Sequence, residues 1–112
     1  VRYPGLPGDP GHALALRQMP DFGTIVTIDV VGGEAAGSRF AERLQLFSIA
    51  ASLGSTESLV VPPALERARG LTAEQRRWAD IGPGTVRLSI GLEDVDDLIA
   101  DLESALGQPE LD

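Results

Sequence analysis

Residues 85–91 alternate cleanly: Val86, Leu88 and Ile90 fall on one face of an extended chain, and Thr85, Arg87, Ser89 and Gly91 on the other. Residues 23–31 repeat the pattern, with Val26, Ile28 and Val30 opposed to Thr27 and Asp29. Both predict strands with one face turned to a core. Ser58 to Val61 predicts a third strand, stopped by Pro62-Pro63, and Ile49 to Ser52 a short strand or bend ending at Gly54. Helical spacing fills the intervals. Ala36, Phe40, Leu44 and Phe47 form an apolar stripe over about 34–47, behind a Gly32-Gly33 turn, while Arg39, Glu42 and Arg43 face water. Val95, Leu98, Ile99, Leu102 and Leu106 form a second stripe over about 94–106, with Gly107 and Pro109 as its stop. Thr72-Ala73-Glu74-Gln75 is a capping box, and it opens a helix that ends near Asp80. Residues 64–71 read as an exposed loop.

The first eleven residues have no such period. Gly5, Gly8 and Gly11 recur every third position, too few triplets for a triple helix, so an extended, polyproline-like stretch is expected. A short helix from His12 to Met19 follows, stopped by Pro20. The chain therefore divides into a leading segment with a short helix, 1–20, and an α/β sandwich domain, 21–112. Strand, helix, strands, helix, strand, helix is the order of an α+β fold: a small antiparallel or mixed sheet with helices on one face.

Composition narrows the chemistry. At 112 residues and 43% hydrophobic, the chain is one globular domain, and 4% aromatic content leaves the core to Val, Ile, Leu and Ala. The formal charge is −8, and Arg76-Arg77 is the only adjacent basic pair, so no basic stripe could follow a nucleic-acid backbone. The chain has no cysteine, which excludes a disulfide framework and thiolate chemistry. No 18-residue apolar run and no signal peptide is present, so a soluble, cytoplasmic protein without a membrane partner is expected. Val1 in place of an initiator methionine suggests a segment of something longer. All nine basic residues are arginines, and there is no lysine.

Arg87 leads the candidates for a functional side chain. A planar guanidinium among small residues on the polar face of a short strand can grip a carboxylate with two hydrogen bonds. On spacing alone, an arginine in such a place is more often a solvated or salt-bridged surface residue. Ser52, at a bend beside Gly54, fits a turn residue or a site residue. It has no Ser-His-Asp partners, because His12 is the only histidine and lies in the leading segment. One histidine without cysteine leaves no zinc site. Glu93, Asp94, Asp96 and Asp97 lack the spacing of a calcium loop and suit the positive end of a helix. Gly82-Pro83-Gly84 is not placed as a dinucleotide cradle. Trp78 and Met19 read as packing residues.

Three motif groups run in order through the chain. The first is Tyr3-Pro4-Gly5-Leu6 with Pro10, His12, Gln18-Met19 and Phe22-Gly23. The second is Phe47-Ser48, Ser52-Leu53-Gly54 and Glu57-Ser58-Leu59. The third is Val86-Arg87-Leu88-Ser89-Ile90-Gly91-Leu92-Glu93-Asp94 with Asp97-Leu98-Ile99. Together they resemble the C-terminal domain of the fold-type I pyridoxal-phosphate enzymes of cysteine and methionine metabolism, the family of cystathionine gamma-lyase, methionine gamma-lyase and cystathionine gamma-synthase.

The resemblance implies a role for each candidate. Arg87 takes the place of the arginine that holds the substrate's α-carboxylate. Ser52 takes the place of the serine beside the cofactor-bearing lysine and the substrate, and so counts as both a catalytic and a substrate-binding candidate. The implied reaction removes the Cα and Cβ protons and eliminates a sulfur group at Cγ, with pyridoxal 5'-phosphate as the electron sink. The lysine and the residues that hold the cofactor's phosphate belong to the family's large N-terminal domain, so this chain alone is expected to be inactive. Its implied partners are a sulfur amino acid, the rest of the same enzyme and further subunits in a homo-oligomer, a homotetramer.

Two positions depart from the family. Pro63-Ala64-Leu65-Glu66-Arg67-Ala68 stands where a Met-Thr-His stretch is often found. Ala51 stands where members that handle cystathionine often carry glutamate, which leans toward a shorter thioether such as methionine. A gamma-replacement enzyme, either a cystathionine gamma-synthase or a homoserine sulfhydrylase, shares the same motifs. A stand-alone amino-acid-binding regulatory module is the alternative from another class.

Overall fold

The computed structural model describes residues 1–107. Its elements are α1 (His12–Gln18), β1 (Ile25–Asp29), α2 (Gly33–Arg43), β2 (Ser48–Ile49), β3 (Leu59–Val61), α3 (Pro63–Arg67), α4 (Ala73–Trp78), β4 (Thr85–Ser89) and α5 (Val95–Gly107). One four-stranded sheet runs in the order β1-β4-β3-β2. β4 is antiparallel to both β1 and β3, and β2 is parallel to β3, so the sheet is mixed. Among the described residues no helix is long and apolar enough to cross a membrane.

The two period-2 segments pair with each other as β1 and β4, with β1 at one edge of the sheet. Val60, Val86 and Leu88 from the sheet join Phe40 and Ala41 of α2 and Leu98 and Ala105 of α5 in the core. Val26 and Ile28 of β1, and Val30 just beyond it, pack against them. The expected small mixed sheet is present, with α2 and α5 on its apolar face. The opposite face is not simply solvated: Thr85 and Ser89 on it are buried.

Several local expectations are corrected. α2 ends at Arg43, earlier than its apolar stripe, because Leu44 turns extended (φ −65°, ψ 133°). The Asp101 carboxylate accepts from the backbone N–H of Gln45 and of Leu46, at 2.9 Å each, and so holds that exit in place. Leu44 and Phe47 still reach the core, but from the connection. Part of the supposed loop 64–71 is the short helix α3, opened by Pro63, whose missing N–H and fixed φ suit a first turn. Residues 4–11 wind through turns, closed by Leu6 N–H to Tyr3, Asp9 N–H to Leu6 and His12 N–H to Asp9, in place of the extended stretch. Trp78 is 91% exposed and Met19 is exposed as well, so neither packs. Val95, Ile99 and Leu106 are exposed, which leaves Leu98, Leu102 and Ala105 to dock α5. Pro109 lies outside the described residues. The capping box is as expected: Gln75 N–H donates to Thr72 Oγ1 at 3.1 Å, and Thr72 N–H to Gln75 Oε1 at 2.8 Å.

Candidate functional site

β4 is the second strand of the sheet, and its alternation turns Val86 and Leu88 to the core and Arg87 to the other face. The register makes Thr27 of β1 and Val61 of β3 the cross-strand neighbours of Arg87. Arg2 extends the row through an antiparallel bridge to Thr27. This row floors two cavities. One, of 220 Å³, is lined by Ala51, Val61, Leu65, Glu66, Arg69 and Arg87. The other, of 240 Å³, shares Val61, Glu66, Arg69 and Arg87 and reaches Arg2, Asp80 and Ile81.

Ionic pairing separates Arg87 from its neighbours. Arg2 pairs with Asp29 at 2.9 Å and Asp80 at 2.8 Å. Arg69 pairs with the buried Glu66 at 2.8 Å, and Arg67 with Glu34 at 2.5 Å. Among the described residues no carboxylate pairs with Arg87. Its Nη2 donates to the main-chain carbonyl of Ser52 at 3.0 Å, and its Nε–H is buried without an acceptor. Arg2 Nε is buried without an acceptor too, but Arg2 has two carboxylate partners; Arg87 lines both cavities with none, which leaves its charge open to an anionic ligand.

The structure therefore brings the two sequence candidates together, but through the Ser52 backbone; its hydroxyl takes no part in that contact. His12 lies elsewhere. Its Nδ1 is 2.7 Å from the Pro4 carbonyl, and its ring stacks on Phe22 with centroids 5.5 Å apart. Both contacts pin the leading segment.

Sequence reasoning missed the groups that hold the Ser52 segment. Glu93 does not serve the helix N-terminus; Asp94 does, accepting from Asp96 N–H at 2.9 Å and Asp97 N–H at 3.2 Å. The Glu93 carboxylate instead accepts from Ser58 N–H and from the Ser58 hydroxyl, both at 2.9 Å. The Ser58 amide, above all, holds the Glu93 carboxyl below its ordinary 4.5. The available signal was position: Glu93 precedes the capping Asp94, where a side chain is free to turn back toward the sheet.

A sequence model of the Cys/Met metabolism PLP-dependent enzymes matches residues 1–107. The chain belongs to that family. It is 48% identical over 106 residues to the L-methionine gamma-lyase of Fusobacterium nucleatum subsp. polymorphum, covering 95% of this chain and 27% of that protein. It superposes on the crystal structure of a cystathionine gamma-lyase from Micromonospora echinospora with a TM-score of 0.83 and 45% identity, over 96% of this chain and 28% of that one. A cystathionine gamma-synthase from Xanthomonas oryzae pv. oryzae, solved with aminoacrylate and cysteine, gives a TM-score of 0.84 and 46% identity over 93% of this chain and 27% of that one. The chain thus spans little more than a quarter of the length of these relatives.

Pyridoxal phosphate is the family's cofactor. A chain without lysine has no side-chain amine to which the cofactor's aldehyde could be joined. What the described residues offer at the cavity is a guanidinium without a carboxylate partner.

Proposed function

We propose that this chain is the C-terminal, substrate-binding domain of a PLP-dependent carbon–sulfur lyase that eliminates the γ-sulfur group of methionine or cystathionine. Arg87 holds the substrate's α-carboxylate, and the observation that carries this is a guanidinium that lines both cavities without a carboxylate partner among the described residues. A carboxylate in the cavity would take charge-assisted hydrogen bonds from the guanidinium, whose Nη2 also donates to the Ser52 carbonyl. The planar fork then fixes the direction of Cα, which sets the proton to be lost against whatever base the rest of the enzyme presents. Bound cofactor supplies the electron sink. Ala51, on the cavity wall, adds neither charge nor bulk, which suits the thioether of methionine better than the distal ammonium of cystathionine. The rest of the enzyme supplies the lysine, in a cytoplasmic homo-oligomer.

Gamma-replacement is the second reading, supported by the similarity to the Xanthomonas synthase. Thiol release from methionine, measured against consumption of an acylated homoserine, separates the two.

Arg87→Ala in the complete enzyme tests the assignment. Removing one member of a desolvated charge pair costs about 3–5 kcal/mol, and kcat/KM is expected to fall about 10²–10³-fold. An unchanged kcat/KM would place Arg87 outside the substrate site.

A further inference from the structure

The segment that carries Ser52 to Arg87 has no hydrophobic anchor. Residues 51–57 are all exposed, Leu53 included. Hydrogen bonds to β4 and to the turn after it hold the segment instead. Gly54 N–H donates to the buried Ser89 hydroxyl at 2.9 Å, and Leu92 N–H to the Thr56 carbonyl at 2.8 Å. The far end is fastened at Ser58, which is fully buried. Its N–H donates to Glu93 Oε2 and its hydroxyl to Glu93 Oε1, while Gly91 N–H donates to that hydroxyl at 2.8 Å. Gly91 lets the two chains lie this close, since a Cβ there would stand 2.6 Å from Glu93 Oε1 and from the Glu57 carbonyl carbon.

We propose that Glu93 is a positioning residue for substrate binding: gripping Ser58 with both carboxylate oxygens, it fixes the 52–58 segment on β4, and with it the Ser52 carbonyl that aims the Arg87 guanidinium. The inference rests on the reading of Arg87 as the carboxylate anchor. Glu93 makes no hydrogen bond to Arg87 and acts through the amide and hydroxyl of Ser58. The hydrogen bonds to an ionised carboxylate are the stronger kind, and two of them to one residue set its orientation as well as its distance. If the grip is lost, the Ser52 carbonyl wanders, and the entropy of ordering a long arginine is charged to each substrate that binds.

The test uses the assembled, cofactor-loaded enzyme with two competitive ligands. L-Norleucine has a straight four-carbon side chain and no sulfur leaving group; pentylamine is the same molecule without its carboxylate. Glu93→Gln turns one acceptor into an amide NH₂ facing a donor, and Ser58→Ala removes the hydroxyl that joins Glu93 to Gly91. Each is expected to weaken norleucine binding about tenfold, to leave pentylamine binding unchanged and to speed hydrogen exchange at the Gly54 and Ser58 amides. Arg87→Lys is the control for the underlying reading. Should Arg87→Lys lose norleucine selectively while the other two variants bind it as the parent does, Glu93 has no positioning role and Arg87 keeps its own. Should Arg87→Lys leave the ratio of the two affinities unchanged, the anchor is elsewhere and both assignments fall. Equal weakening of both ligands in Glu93→Gln and Ser58→Ala would show a general structural role and overturn the proposal. Ser58→Ala keeps the test decisive if the glutamine variant folds poorly.

Discussion

Arg87 and Glu93 show how differently one sequence exposes two residues. Arg87 stands out locally, because a lone charge in an alternating strand has its direction set by the residues on either side. Glu93 sits in an acidic run beside a helix start, and the run is explained well enough by the macrodipole to hide it. Its true partner, Ser58, is 35 residues away, a separation no local pattern encodes. The consequence can be measured. The Ser58 amide lowers the Glu93 carboxyl below 4.5 in the folded chain, so near that pH the folded state binds fewer protons than the unfolded one. The stabilisation from Glu93 is therefore complete above 4.5 and drains away as pH falls through the lowered folded value. Denaturant midpoints of the parent and Glu93→Gln between neutral and acid pH should converge as the pH drops below 4.5. Other carboxylates titrate there too, but they do so in both proteins and cancel. A gap that stays constant down to strong acid would mean that the charge on Glu93 does not matter to its contact.

Elements were legible where the period was long or the cap explicit. Alternation found β1 and β4, and the helical stripes found α2 and α5. Their ends were less clear. α2 stops short because Asp101, from α5, binds the N–H groups of Gln45 and Leu46, a tertiary cap invisible to the stripe. α3 was lost because Pro62-Pro63 was read only as a stop, although a proline in the first helical turn is also a start signal. α4 is the reverse case: the capping box predicts it, yet none of its residues is buried. A helix of six residues without a buried face depends on its cap more than on tertiary contacts. Thr72→Ala should therefore destabilise α4 by about 1 kcal/mol and speed its amide exchange about fivefold, with little change in global melting. A large fall in melting temperature would mean that α4 is coupled to the core. Trp78, on the same helix, gives a matching expectation. It is the only tryptophan and is 91% exposed, so its emission should be that of a hydrated indole open to iodide. Trp78→Phe should change stability by less than about 0.5 kcal/mol.

At the scale of the molecule, the sheet separates two tasks. Its apolar face, under α2 and α5, holds the domain together. Its other face aligns Arg2, Thr27, Arg87 and Val61 beneath the cavities and presents an unpaired guanidinium there. The nine basic side chains are all guanidiniums, which cannot join a cofactor aldehyde as a lysine amine can. Among the described residues, the acids that line the cavities beside Arg87 are paired with other arginines, Glu66 with Arg69 and Asp80 with Arg2. The purified 112-residue chain, given methionine and pyridoxal phosphate, is therefore expected to release thiol no faster than the free cofactor does. Complementing it with the lysine-bearing remainder of the enzyme should restore turnover, and Arg87→Ala should cut the restored kcat/KM about 10²–10³-fold. Release above the free-cofactor rate by the chain alone would show that elimination proceeds without lysine. It would also remove the reason for dividing this chemistry between a domain that holds the carboxylate and one that moves the protons.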